Sequence, residues 1–182
     1  MDIKDLKLND GKFLVKLARE SVRTFFENSE PKIENVPNIL NEKFGAFVTI
    51  KKNNELRGCI GYPFPIKPLY VAIIELAREA AFNDPRFLPL RKNELNEVIF
   101  EVSVLSKFEL IKVKNVEEYI EKFNIGEGLY LETTFASALL LPQVAIEYNL
   151  NKKEFLEALC LKAGLEKNAW KNRKIKIYKF RA

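Results

Sequence analysis

Apolar residues recur along the first thirty positions at helical spacing. Phe13, Leu14, Leu17, Ala18, Val22, Phe25 and Phe26 make one stripe, and Lys12, Lys16, Arg19, Glu20 and Arg23 fall opposite it. That period predicts an amphipathic helix, capped by Asn9 or Asp10 and ending near Asn28, whose stripe packs on a core. Pro31 and Pro37 make residues 30–42 a connection. The period then drops to two. Along Phe44–Lys52, Phe47, Thr49 and Lys51 alternate with Val48 and Ile50, and Asn53-Asn54 tolerates left-handed angles, so a hairpin into Glu55–Tyr62 is predicted. Pro63, Pro65 and Pro68 stiffen the next loop and open a helix running to Phe82. Its stripe, Leu69, Ala72, Ile73, Leu76, Ala77, Ala80 and Ala81, is rich in alanine, which predicts close packing on the hairpin.

Asn83-Asp84-Pro85-Arg86-Phe87 stops that helix, and a short turn begins at Lys92 or Asn93. Glu97–Ser106 is the clearest strand, with Val98, Phe100, Val102 and Val104 alternating against Ile99, Glu101, Ser103 and Leu105. Phe108–Val113 reads as extended, Val116–Phe123 as a short helix, and Leu129–Thr133 and Ala136–Leu141 as further strands. Gly126-Glu127-Gly128 is a turn and no phosphate cradle, because a strand follows it where a helix N-terminus is needed. Helices follow over Pro142–Tyr148 and Lys153–Ala163, the second stopped by Gly164, and Arg173–Phe180 is a last strand. The order predicts an α+β fold, a mostly antiparallel sheet with helices packed on it. Two similar strand-helix-strand halves are expected, around residues 44–105 and 108–180, within a single domain over 1–182.

Composition narrows the chemistry. There is no histidine and there are two cysteines among 182 residues. Ser-His-Asp and Cys-His pairs, His-ligated metals and a four-thiolate zinc site within one chain are therefore excluded, and neither metal nor cofactor is expected. No apolar run approaches the roughly 20 residues that cross a bilayer, and the start, Met1-Asp2-Ile3-Lys4-Asp5, lacks the apolar stretch of a secretory signal. A cytoplasmic protein is expected, with sparse cysteine in keeping. Abundant lysine, glutamate and isoleucine with little methionine or cysteine point to a thermophilic source. The +5 net charge is mild and mostly alternates in sign. Near the end, Lys167, Lys171, Arg173, Lys174, Lys176, Lys179 and Arg181 interleave with Trp170, Tyr178 and Phe180. Bases with aromatics can hold single-stranded nucleic acid, but lysines that keep an edge strand from aggregating explain the same letters and are preferred.

The candidate site is Leu56-Arg57-Gly58-Cys59-Ile60-Gly61. In an extended segment Arg57, Cys59 and Gly61 share one face, and the glycines Gly58 and Gly61 leave it open for another backbone or a ligand to approach closely. Arg57 two residues away can lower the thiol pKa and make Cys59 a nucleophile; the alternative is a small buried cysteine with Arg57 paired to a carboxylate. Arg86, Glu101 and Gln143 are further candidates for the same cleft. Two of them also have a structural reading: the Asp84-Pro85-Arg86-Phe87 loop as a helix stop with the aspartate on nearby amides, and Gln143 as a partner for orphan amides at a helix start. Cys160 falls on an apolar stripe with Leu156 and Leu159 and reads as structural.

The hexapeptide is similar to the hallmark of the AMMECR1 domain. Asp84-Pro85-Arg86-Phe87, Glu101-Val102-Ser103-Val104-Leu105 and Leu140-Leu141-Pro142-Gln143-Val144-Ala145 resemble the same family in the expected order, over about Gly11 to Ala182. Ala136-Ser137-Ala138 departs from it where a glycine is expected. The resemblance implies two similar halves around one large antiparallel sheet. It also implies a prokaryotic setting beside, or fused to, a Memo-like protein and a radical SAM protein, and it carries no settled activity. Two function classes stay open: an accessory module presenting the hexapeptide to a protein or ligand partner, and an enzyme or enzyme subunit using Cys59 with Arg57.

Overall fold

The computed structural model describes residues 2–172 and 174–182. Met1 and Arg173, which the sequence reading used as the chain start and the start of the last strand, lie outside them. The chain divides into two compact units, residues 1–105 and 106–182.

In the first unit, helix α1 (Leu8–Phe25) precedes the hairpin of β1 (Gly45–Lys52) and β2 (Glu55–Tyr62), helix α2 (Leu69–Phe82) and strand β3 (Val98–Leu105). The sheet order is β2-β1-β3, all antiparallel. Ala46, Val48 and Ile50 of β1, with Val98 and Phe100 of β3, bury one face against Leu14, Ala18 and Val22 of α1 and the alanine-rich stripe of α2. The opposite face carries Phe47, Thr49 and Lys51 beside Glu101 and Ser103. The turn residues Asn53 and Asn54 both take positive φ, 52° and 65°, as an asparagine pair in a tight hairpin can. The first helix begins earlier than its pattern suggested. Asp10 is not the cap but sits three residues inside, where its carboxylate accepts the Lys7 amide at 2.7 Å.

In the second unit, β4 (Glu109–Leu110), helix α3 (Glu118–Glu121), β5 (Gly128–Glu132), β6 (Ser137–Leu140), helices α4 (Pro142–Glu147) and α5 (Lys152–Lys162) and β7 (Lys176–Phe180) follow in turn. The sheet order is β4-β7-β5-β6, again antiparallel. Leu129, Leu131, Leu140 and Ile177 pack with Phe155, Leu156, Leu159 and Cys160 of α5. Two elements are shorter than their patterns, β4 holding two residues and α3 a single turn.

The fold is α+β. Among the described residues the strands form two sheets of three and four, not the one large sheet the resemblance implied. Each unit contains a hairpin, a helical connection and a third strand that returns beside the first, giving the orders β2-β1-β3 and β6-β5-β7.

Candidate functional site

The hexapeptide is strand β2, at the edge of the first sheet. Cys59 pairs with Thr49, and Thr49 pairs onward with Glu101. These three side chains form one row on the helix-free face. The Thr49 hydroxyl donates to the Cys59 Sγ at 3.2 Å, and the sulfur's residue is half-buried, not sealed. Glu101 reaches along its face to Lys51, at 3.1 Å.

Two expectations about this strand are corrected. The first concerns Arg57. Pairing runs from Ile50↔Gly58 to Lys51↔Leu56, so Arg57 is the extra residue of a β-bulge. A bulge breaks the alternation that would have set Arg57 beside Cys59. Its guanidinium instead meets Glu94, with Nε to Oε1 at 3.2 Å and Nη2 to Oε2 at 3.1 Å, and Nη2 also reaches the Pro89 carbonyl. Lys52 joins the same carboxylate at 3.2 Å. Bonds from Arg57, then from the Arg91 amide and Lys52, hold the Glu94 carboxyl at about 2 against the upward pull of burial.

The second concerns the glycines: the close approach they allow is made by the protein's own atoms, at Gly58 by another backbone, and no hollow is left for a ligand. A Cβ on Gly58 would lie 2.0 Å from the Ala80 carbonyl oxygen, so helix α2 rests directly on the strand backbone. A Cβ on Gly61 would lie 2.2 Å from the Phe47 ring, which covers that place from the neighbouring strand. Both glycines serve internal contacts.

An edge strand leaves outward main-chain groups to satisfy. At Cys59 the loop after α2 does so. The Cys59 amide donates to Asp84 Oδ2 at 2.8 Å, and Arg86 Nη2 donates to the Cys59 carbonyl at 3.1 Å. Arg86 also grips Asp84, Nε to Oδ1 at 2.9 Å and Nη2 to Oδ2 at 2.7 Å, while its own amide bonds Oδ1 at 3.1 Å. Asp84 is buried, its side chain 2% exposed, yet Arg86 foremost, then the Cys59 and Arg86 amides, hold its carboxyl at about 2. Arg86 is 54% exposed and passes over the Phe87 ring. Sequence reasoning did not see Asp84, Thr49 or Glu94 as members of this site. Asp84 had the strongest available signal, an aspartate opening a proline-containing stop two residues before an arginine.

Gln143 belongs to the second unit, in the first turn of α4, with Pro142 ahead of it. Cys160 is fully buried in α5, and burial pushes its thiol up. Trp170 and Phe180 are 3% and 2% exposed, so neither offers a ring for base stacking. Lys167 pairs with Glu157 and Lys179 with Glu127. Among the described residues no cluster of three metal-ligating side chains occurs, and no helix is long and apolar enough to cross a membrane.

Protein MJ0810 of Methanocaldococcus jannaschii is 45% identical over 180 residues, covering 97% of this chain and 90% of its own. Protein MK0488 of Methanopyrus kandleri is 46% identical over 183 residues, covering 97% and 88%. These and other relatives come from thermophiles. A crystal structure of protein PH0010 from Pyrococcus horikoshii superposes with a TM-score of 0.92 at 41% identity, over 97% of this chain and 90% of that one. A sequence model of the AMMECR1 family matches residues 15–182, and the chain belongs to that family.

Proposed function

We propose that the protein is an accessory binding module whose contact surface is the helix-free face of the first sheet around Cys59. The observation that carries this reading is the state of the Cys59 main chain. Both of its outward groups are taken by Asp84 and Arg86, so a partner cannot dock there by adding a strand and must read side chains. Those on offer are Cys59, Glu101 with Lys51, and Ser103, with Thr49 buried between Cys59 and Glu101. The partner class is the one that the family resemblance supplies, a Memo-like or a radical SAM protein. The test is a photoreactive maleimide attached to Cys59 and irradiated with each purified partner from the same genome. Cross-linking to one of them at the labelled strand is expected; no cross-link to either at concentrations where control complexes form removes the reading.

A second reading is an enzyme in which Cys59 is the nucleophile. It is favoured by the Thr49 hydroxyl on the sulfur, which fixes the side chain's direction. Iodoacetamide labelling across pH addresses it. Reaction well below pH 8 is expected of a working thiolate, and reaction slower than a free thiol ends the idea.

A further inference from the structure

We infer that Arg86, and not Arg57, is the cation that serves the Cys59 site, and that the site takes the carboxylate of a small organic ligand. The inference rests on reading this face as a binding surface and adds the chemistry of what is bound.

The two guanidiniums differ in what they have left to give. The Arg57 side chain is 16% exposed, and its fork is engaged by Glu94. Arg86 is held along one edge only. Nε and both hydrogens of Nη2 are spent on Asp84 and the Cys59 carbonyl, while Nη1 has no protein partner among the described residues. Asp84 is buried at 2% exposure, whereas the Arg86 side chain is 54% exposed. A planar fork fixed at three points has little rotamer freedom left to lose, so an anion meeting Nη1 finds a donor pair already oriented. The Cys59 carbonyl that Arg86 grips belongs to the residue carrying the thiol, so the cation and the sulfhydryl meet at one residue of the strand.

The test compares two alkylating reagents at Cys59, iodoacetate, which carries a carboxylate, and iodoacetamide, its neutral analogue. In both, the thiolate sulfur displaces iodide from the methylene carbon: the S–C bond forms, the C–I bond breaks, and the thiol proton passes to buffer. Thiolate supply and burial act on both reagents alike, so their rate ratio reports carboxylate recognition. At low salt the folded protein is expected to show a ratio about threefold to tenfold above that of the same chain unfolded in urea. The advantage should shrink in 1 M salt and vanish in Arg86→Gln. Buried Cys160 stays unlabelled in the folded protein and reports its integrity. Because Arg86→Gln strips a buried carboxylate of its partner, Arg86→Lys is measured too; it keeps the charge without the fork and should lower the ratio. The salt series on the unaltered protein decides the matter without any variant. A folded ratio equal to the unfolded one, or indifferent to salt and substitution, overturns the inference and leaves partner cross-linking at Cys59 untouched. A raised ratio with no cross-link removes the protein partner and keeps the carboxylate site.

Discussion

The two units are built on one plan and use it differently. In both, a central strand opens on a glycine paired to the end of the third strand, Gly45↔Leu105 in one and Gly128↔Phe180 in the other. Counting from those pairs, Ala46 and Val48 correspond to Leu129 and Leu131, and all four lie in the cores. The row Cys59–Thr49–Glu101 corresponds to Ser137–Glu132–Lys176. In the second unit the hairpin ends at that row, closed by a turn in which the Thr133 amide donates to the Ala136 carbonyl at 2.8 Å. In the first it runs on through Lys52 and Glu55, acquires the Arg57 bulge, and receives the Asp84–Arg86 loop along its edge. The shared frame supplies a buried face; the candidate chemistry belongs to what the first unit adds.

The sharpest way to break this comparison is through the glycine under helix α2. Gly58→Ala drives a Cβ against the Ala80 backbone, which has no side-chain freedom to retreat, and should cost 3 kcal/mol or more, at the severe end of the overpacking range of roughly 1–3 kcal/mol. Urea unfolding measures it. A loss under about 1 kcal/mol would mean the contact between α2 and the strand is looser than described.

Next comes the loop that seals the edge. Asp84→Asn should lose about 2 kcal/mol at neutral pH, the linkage value of a carboxyl moved from 3.8 to about 2. The folded-state value is the lower one, so the contribution is complete above about pH 4 and disappears as pH falls toward 2. Glu94 adds a loss in the same acid range. Denaturant midpoints of the two proteins should therefore converge at low pH; a constant gap from pH 7 to pH 2 would assign the effect to packing.

Gly164, in the second unit, tests the opposite kind of glycine. Nothing lies within 4 Å of its Cβ position, but its φ is +72°. Gly164→Ala should cost only about 1 kcal/mol, through the backbone alone, measurable as a small shift in thermal midpoint. The smallest expected effect is on the corresponding row. Ser137→Cys, in a Cys59→Ser background, should leave stability within about 0.5 kcal/mol. Its iodoacetate-to-iodoacetamide ratio should match that of the unfolded chain, because the site's guanidinium is tied to Cys59. A raised ratio there would make anion preference a general property of this basic protein.

Periodicity made most of the framework legible. The stripe of α1, the alanine face of α2, the Asn53-Asn54 turn and the alternation of β3 all reflect local requirements, 3.6-residue or two-residue repeats and residues able to take left-handed angles. Elements with too few residues to carry a period, β4 and α3, were overdrawn. At the site, motif reading found the strand and the loop, and its alternative of Arg57 paired to a carboxylate holds with Glu94, but it set Arg57 on the face of Cys59. Alternation assumes an unbroken register, and a bulge is a relation between two strands that no single strand displays. Asp84 could be read as a loop aspartate, but its bond to the Cys59 amide spans 25 residues and exists only once α2 lies across Gly58.

By itself, then, the amino-acid order determined the family, the α+β class and where helices and strands fall, because those depend on neighbours along the chain. Only the tertiary structure decided that the glycines are filled from within, that Arg57 serves Glu94 and that Arg86 grips the Cys59 carbonyl. Each of these depends on which distant groups reach a buried or edge position first, and local spacing carries no record of that competition.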